Sequence, residues 1–325
     1  MATSNHEFRP ALSAIASDIG KNCRSDYGFS CLTVPVDVCS KHFQYRRYES
    51  DLKRVDSKVT CYSQVHEVDC AGSVLVDAKT ETHALEKAIC VEEWSASECD
   101  CSAQRMDLEA LAVEELTHKL LLEKEINVLE TAFDPANHIN ITDLTGGELD
   151  GATPANPLDF IRLTSVKSRH RFNVGVMNRC VKEYLRRNPQ LFGNGCCDVL
   201  LSDDQLASML GLDEICCPDA YVDTAGLGLP ANIEQVLGNS ILLIHRNPRF
   251  NSSDCGIKNF MFEARYSPRA IKNGGTRRGQ SADGFDVFVK NDDWSMGAYG
   301  GCRVRVVTNY GLVAPTFELA HLITN

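Results

Sequence analysis

Two Glu-x-x-His pairs carry the chemistry most readily read from this chain, Glu115 with His118 and Glu318 with His321. At positions i and i+3 such side chains share one helix face, and one pair from each of two helices supplies half of a di-metal carboxylate centre. The other half would be inward glutamates on two further long helices. The second half of the chain reads as strand and turn, so that frame is missing and both pairs read better as solvated surface. The glycine-rich stretch KNGGTRRGQSAD, 272–283, could cradle an anion. It lacks the Walker lysine pattern and does not lead from a strand into a helix. No serine lies in a G-x-S-x-G elbow. His118, His170 and His245 are scattered, and no spacing pairs a histidine with a cysteine nucleophile. No catalytic, metal or cofactor-binding residues are expected, and no cofactor.

Cysteine is the other reactive type, with 15 in the chain. Cys23, Cys31, Cys39, Cys61, Cys70, Cys90, Cys99 and Cys101 crowd the first third, and Cys196-Cys197 and Cys216-Cys217 are vicinal. There is no C-x-x-C and no cysteine pair with histidines at zinc spacing. Most therefore read as buried thiols acting as small apolar side chains. The open alternatives are disulfides or a metal site, and the odd count leaves at least one thiol free or paired between chains.

The element that organises these residues is Asp107–Phe133, DLEALAVEELTHKLLLEKEINVLETAF. Leu108, Leu111, Ala112, Leu116, Leu120, Leu122, Ile126, Leu129 and Phe133 draw one stripe at helical spacing. Glu114, Glu115, Lys119, Glu123, Lys124 and Glu125 form the polar face. Asp107 is the expected N-cap, and Asp134-Pro135 stops the helix. At about 1.5 Å per residue the helix runs roughly 40 Å, a spine for smaller pieces to pack across.

Before the spine, residues 1–35 read as an extended arm with one short helix, its apolar contacts from Leu12, Ile15 and Ile19. Residues 36–95 read as a long two-stranded excursion, and an isolated hairpin is only marginally stable in water. Glu81–Trp94 reads as a short helix or turn. After the spine come a turn-rich stretch to 157, helices at 157–168, 177–187 and 206–210, and strands at 172–176, 236–245, 260–264, 285–289 and 303–307. The expected class is mixed α+β.

Composition narrows the function classes. The chain has 325 residues, 43% hydrophobic and 24% charged, enough for a real core. No apolar run reaches the roughly 18 residues of a membrane span, and the N-terminus lacks signal-peptide features, so a cytosolic product is expected. Net charge of −11 argues against a dedicated nucleic-acid binder.

The order of segments resembles the major capsid proteins of tailed bacteriophages, the Hong Kong 97-like fold. The stretches that carry the likeness begin with the spine and its Phe133-Asp134 close, then DGATPANPLDFI from Asp150. They continue with the helix ending Leu185-Arg-Arg-Asn-Pro, then LASMLGLDEI from Leu206, LGNSILL from Leu237 and GCRVRVV from Gly301. The likeness covers roughly 100–325. It implies an N-terminal arm (1–35), an extended β-hairpin loop (36–95), a peripheral domain with the spine (96–190 and 264–325) and an axial domain (191–263). It also implies a non-enzymatic structural protein that self-assembles through hexamers and pentamers into an icosahedral head shell around double-stranded DNA. That shell would be built in the host cytoplasm and kept in the virion, with no membrane partner. Since the chain opens on a short arm, a separate scaffolding protein is expected, besides portal and decoration proteins. Packaged DNA would be contacted weakly. The lysine–asparagine crosslink of some members is not carried over: Lys41, Lys53 and Lys58 lie in the loop, but no partner asparagine can be matched. Contacts between neighbours in such shells fall on arm and loop, so Cys23, Cys31, Cys39, Cys61 and Cys70 are candidates for inter-subunit disulfides. The alternatives are an encapsulin-like compartment shell and, further off, a di-metal carboxylate enzyme.

Overall fold

The computed structural model describes residues 7–23, 27–48, 73–93, 107–144, 161, 164, 168, 171–187, 201–226, 228–247, 259–266, 284–291, 293–295, 299–315 and 317–324. Its helices with described bounds are α1 (Pro10–Asn22), α2 (Phe29–Leu32), α3 (Leu108–Phe133), α4 (Arg179–Arg187) and α5 (Asp203–Leu210). The spine is α3. Asp107 Oδ1 accepts from the backbone N–H groups of Glu109 and Ala110, each at 3.1 Å, and so satisfies donors that the first turn leaves open. At the other end Asp134 is extended, and its carboxylate accepts from Ala136 N in the following Pro135–Asn137 turn. The 26 residues of α3 span about 39 Å.

Two sheets pack on this spine. The first runs β1 (Glu7–Phe8), β13 (Phe285–Lys290), β14 (Gly301–Val313), β12 (Met261–Arg265), β2 (Thr33–Asp37), with β5 (Glu81–Cys90) on the remaining edge of β14. The second is β6 (Ile141–Asp143), β15 (Ala320–Thr324), β11 (Ile241–Ile244), β7 (Val174–Met177), β8 (Glu214–Cys216). Successive strand residues point to opposite faces, and this second sheet is buried on both. Leu242, Ile244, Val176 and Leu322 face the core shared with the spine and the first sheet. Ile241, Leu243, Met177 and Ile323 face a separate core closed by α4 and α5. Asn178 accepts from Val181 N to start α4, while its amide donates to Asn239 Oδ1 at 2.8 Å and fixes the approach to β11. Ser202 and Gln205 form a capping box at the head of α5, and Gly211, at φ +76°, ends it.

Three sequence expectations change. Glu81–Cys90 is a strand rather than a helix or turn. Ten residues pair with β14, and this ladder overrides the helix-favouring Glu, Lys, Ala and Leu content. His83, Leu85, Lys87 and Ile89 form the more sheltered face, where His83 meets Glu123 and Lys87 meets Glu115 of the spine. The arm helix α1 is packed rather than loose, and it buries Leu12, Ser13, Ala16, Ser17 and Gly20, leaving Ile15 exposed. The small side chains let α1 lie against α3 and β13, and Ser13 Oγ accepts from Val287 N at 3.0 Å. The second sheet joins segments far apart in sequence. β7 and α4 pack with β8, β11 and α5.

The third change is in the spine. Lys124 and Glu125, expected on the polar face, are buried. Lys124 Nζ is 2.7 Å from Glu263 Oε1 of β12, and Arg265 Nε donates to the same oxygen at 2.8 Å. The ammonium also sits 4.4 Å from the ring centre of Phe29 and 5.5 Å from that of Tyr310. Glu125 accepts Gly28 N at 2.7 Å and Phe29 N at 2.8 Å. Burial pushes the Glu125 carboxyl above its ordinary range, against the pull of those two N–H groups. Burial would do the same to Glu263, but Lys124 and Arg265 overcome it and hold the group at about 2. A carboxyl held low in the folded state adds stability above its unfolded pKa and loses it as pH falls toward the folded value. Glu263→Ala, which strands Lys124 and Arg265, is expected to cost about 3–5 kcal/mol in urea unfolding at neutral pH. The gap between variant and parent should narrow as pH drops from 4.5 toward about 2; a gap independent of pH would contradict this account.

Candidate assembly interface

The feature least supported by its own chain is a ribbon of β3 (His42–Tyr48) and β4 (Ser73–Lys79), antiparallel from His42 opposite Lys79 to Tyr48 opposite Ser73. Its root is anchored. Thr80 N donates to Lys41 O at 2.9 Å, and Phe43, Tyr45 and Ala78 pack on Phe262, Ala264 and Val313. Tyr45 meets Phe262 edge-on, with ring centres 5.8 Å apart. Gly311 of β14 makes the crossing possible: a Cβ there would lie 2.5 Å from the carbonyl oxygen of Lys79. Farther out, Val74 and Leu75 are 53% and 57% exposed. A two-stranded ribbon is marginal alone in water, and apolar residues on its outer half favour a second surface to lie on.

Exposed apolar side chains also occur near the second sheet. β9 (Tyr221–Asp223) and β10 (Ile233–Gln235) form a small ribbon that shows Tyr221, Leu229 and Ile233 to solvent. Ile139 and Ile141 are exposed beside the β6 edge. Such patches mark contact surfaces when they are contiguous. On the first sheet's outer face the charges are paired: Arg303 and Arg305 both meet Glu86, and Arg303 and Lys290 meet Asp293.

The residues nominated by sequence separate. Glu115 is paired with Lys87, and His118 is half-buried on the spine. Glu318 lies in a short turn before β15, and His321 contacts Thr142 Oγ1 at 2.9 Å within the second sheet. The second Glu-x-x-His pair is therefore not helical, and the shared-face geometry of a di-metal site does not form. Among the described residues no three His, Cys, Asp or Glu side chains gather to hold a metal ion. No described helix is long and apolar enough to cross a membrane. The loop 272–283, His170, Cys61 and Cys70 lie outside the described residues. Of the remaining nominated cysteines, Cys39 is exposed at the ribbon's root, Cys23 is half-buried at the end of α1, and Cys31 lies on α2 against Glu214 of β8. Cys31 also packs against the core that contains Cys216, a proximity that sequence spacing gave no means to find.

No protein-family model and no curated protein sequence matches the chain. Solved structures do. A phage-related protein from Bordetella bronchiseptica RB50 is 15% identical, with 98% of this chain and 97% of that one covered at a TM-score of 0.66. The putative capsid protein of a prophage of E. coli CFT073 is 12% identical, with coverage of 98% and 99% and a TM-score of 0.56. The capsid of a native GTA particle gives 12% identity, coverage of 92% and 89%, and a TM-score of 0.59. The chain has the Hong Kong 97-like capsid fold. In this capsid fold the spine, the two sheets and the projecting ribbon are parts of one architecture, and the α+β class expected from the segment order holds.

Seating of the ribbon is testable through Gly311. Gly311→Ala forces Lys79 away from β14 and is expected to cost about 1–3 kcal/mol, as overpacking does. It should also speed amide exchange across 42–48 and 73–80. Unchanged unfolding and exchange would show that the ribbon does not rest on β14 as described.

Proposed function

We propose that this chain is the major subunit of a tailed-phage head, self-assembling through hexamers and pentamers into an icosahedral shell around double-stranded DNA. The observation that carries the reading is likeness to capsid chains over nearly the whole length, at coverage of 98% and 99% for the prophage protein, together with a ribbon that, among the described residues, is packed on its own chain at the root and shows Val74 and Leu75 farther out. One similar capsid comes from a particle solved with five-fold symmetry. Residues 1–35 form the arm, and the extended loop is the β3–β4 ribbon within 36–95. The spine and first sheet form the peripheral part. The axial part is best drawn around the second sheet, α4, α5 and the β9–β10 ribbon, and so takes in strands on both sides of 190/191. The net charge of −11 and the paired arginines of the first sheet suit a wall that confines DNA without gripping it. Scaffolding, portal and decoration proteins are the partners this role requires, the virion is its location, and no catalysis is part of it. Cys39, exposed at the ribbon's root, is the described cysteine best placed for a disulfide to a neighbour.

Electron microscopy of the protein expressed alone and with a scaffolding protein tests the reading. Closed shells, sheets or tubes are expected, and a monomer or small oligomer under every condition would end it. Nucleic acid inside particles favours a phage head, whereas a native protein cargo favours a compartment shell. The double variant Val74→Asp, Leu75→Asp should keep the circular dichroism of the parent and lose at least tenfold in particle yield, about 1.4 kcal/mol or more of contact energy.

A further inference from the structure

We propose that Cys31 and Cys216 form a reversible intramolecular disulfide that staples the N-terminal arm to the second sheet of the same subunit. The arm reaches this place through α2, which is held tightly. Gly28 and Phe29 donate their N–H groups to Glu125. A Cβ on Gly28 would lie 2.5 Å from Pro218 Cγ, so the backbone of the arm presses directly on the chain just beyond β8. From this seat Cys31 Sγ points at β8, 3.4 Å from Glu214 Oε1. Cys216 is the next residue on the same face of that strand, and it lies in the core against which Cys31 packs.

The strand geometry selects between the two vicinal cysteines. Cys216 belongs to the core shared with the spine and the arm, whereas Cys217 packs with the separate core of α4 and α5. The two thiols therefore face opposite sides of the sheet, and Cys216 alone faces Cys31. The protonation states suit an exchange reaction. Interaction with Cys216 draws the Cys31 thiol below its ordinary pKa, against the opposing pull of burial and of the Glu214 carboxylate. The same interaction, with burial, pushes Cys216 well above it. Cys31, which is less buried, is thus the attacking thiolate and Cys216 the reserve of the proton.

The oxidant is a small-molecule disulfide, RSSR, such as oxidised glutathione. The Cys31 thiolate attacks one sulfur of RSSR, a mixed disulfide forms, and one thiolate RS⁻ leaves and takes up a proton. Cys216 then loses its proton and attacks the Cys31 sulfur, forming the internal bond and expelling the second RS⁻, which is protonated to RSH. The two cysteines give up two electrons and two protons, and RSSR becomes two RSH. A reducing cytosol keeps the pair open, and an oxidising exterior closes it.

The test uses the full-length chain, whatever its assembly state. Reduced protein is incubated with oxidised glutathione, remaining thiols are blocked with N-ethylmaleimide, and the product is digested without reductant for mass spectrometry. The expected product is a linked pair of peptides containing Cys31 and Cys216, lighter by two hydrogens than the separate peptides and reversed by dithiothreitol. The intact product should run as a single chain on a non-reducing gel. Cys217→Ser should leave the link in place and Cys216→Ser should remove it. A Cys31 that stays alkylated or glutathionylated overturns the proposal, as does one linked to Cys217 or to another chain. These readouts on the parent protein do not depend on whether shells form.

Discussion

Three charges buried together set the frame of this molecule. Lys124 comes from the spine, and Glu263 and Arg265 from β12, while Phe29 of the arm and Tyr310 of β14 supply the aromatic faces around the ammonium. Desolvating such charges costs several kcal/mol per ion unless each is met. Each is met only when arm, spine and sheet arrive in one register. Glu125, the next residue, extends the same logic, because its carboxylate satisfies two arm N–H groups that would otherwise be stranded. An arm of this length could not hold a fixed place through Leu12 and Ala16 alone. The polar contacts decide where it lies, and the apolar ones supply most of the adhesion.

The second sheet passes that registration on. Its strands are short, mostly three to five residues, but both faces are buried in different cores. A shift in β11 or β7 would be felt by the spine on one side and by α4 and α5 on the other. Close packing makes such coupling unavoidable, since neither core has room to absorb displacement.

The spine, its Asp107 cap and its Asp134-Pro135 stop were legible because period, cap chemistry and proline geometry all agreed there. The small ending of α5 at Gly211 was legible for the same reason. Lys124 and Glu125 were misread because residue type was allowed to outweigh position: both lie between Leu121 and Val128 on the buried side. The arm helix was misread in the opposite sense, since beside Leu12 its buried face is made of serines, alanine and glycine, whereas hydrophobic spacing also points to Ile15 and Ile19. The composition of β5 says helix, and only its long partner β14, more than two hundred residues later, says otherwise. The meeting of Cys31 with Cys216 belongs to that class too. It depends on tertiary placement of the arm, and nothing local announces it. The Glu-x-x-His pairs failed as a site because one of them runs from a single 3-10 turn into strand β15, not along one helix face.

The position of β14 has a consequence for what the molecule does not do. Its residues 303–308 and 310–313 are paired along one edge by β13 and β12, and 301–310 along the other by β5, so the longest strand presents little open backbone. The strands left at the margins are poor templates. β1 has two residues, β2 carries Pro35, which offers no N–H, and β5 bears Glu81, Glu86 and Lys87. Short, proline-containing and charged margins discourage edge-to-edge pairing. Edge-to-edge stacking into fibrils through the main sheet is thereby discouraged, and the apolar surface left exposed lies instead on the ribbon and in side chains outside the sheet edges.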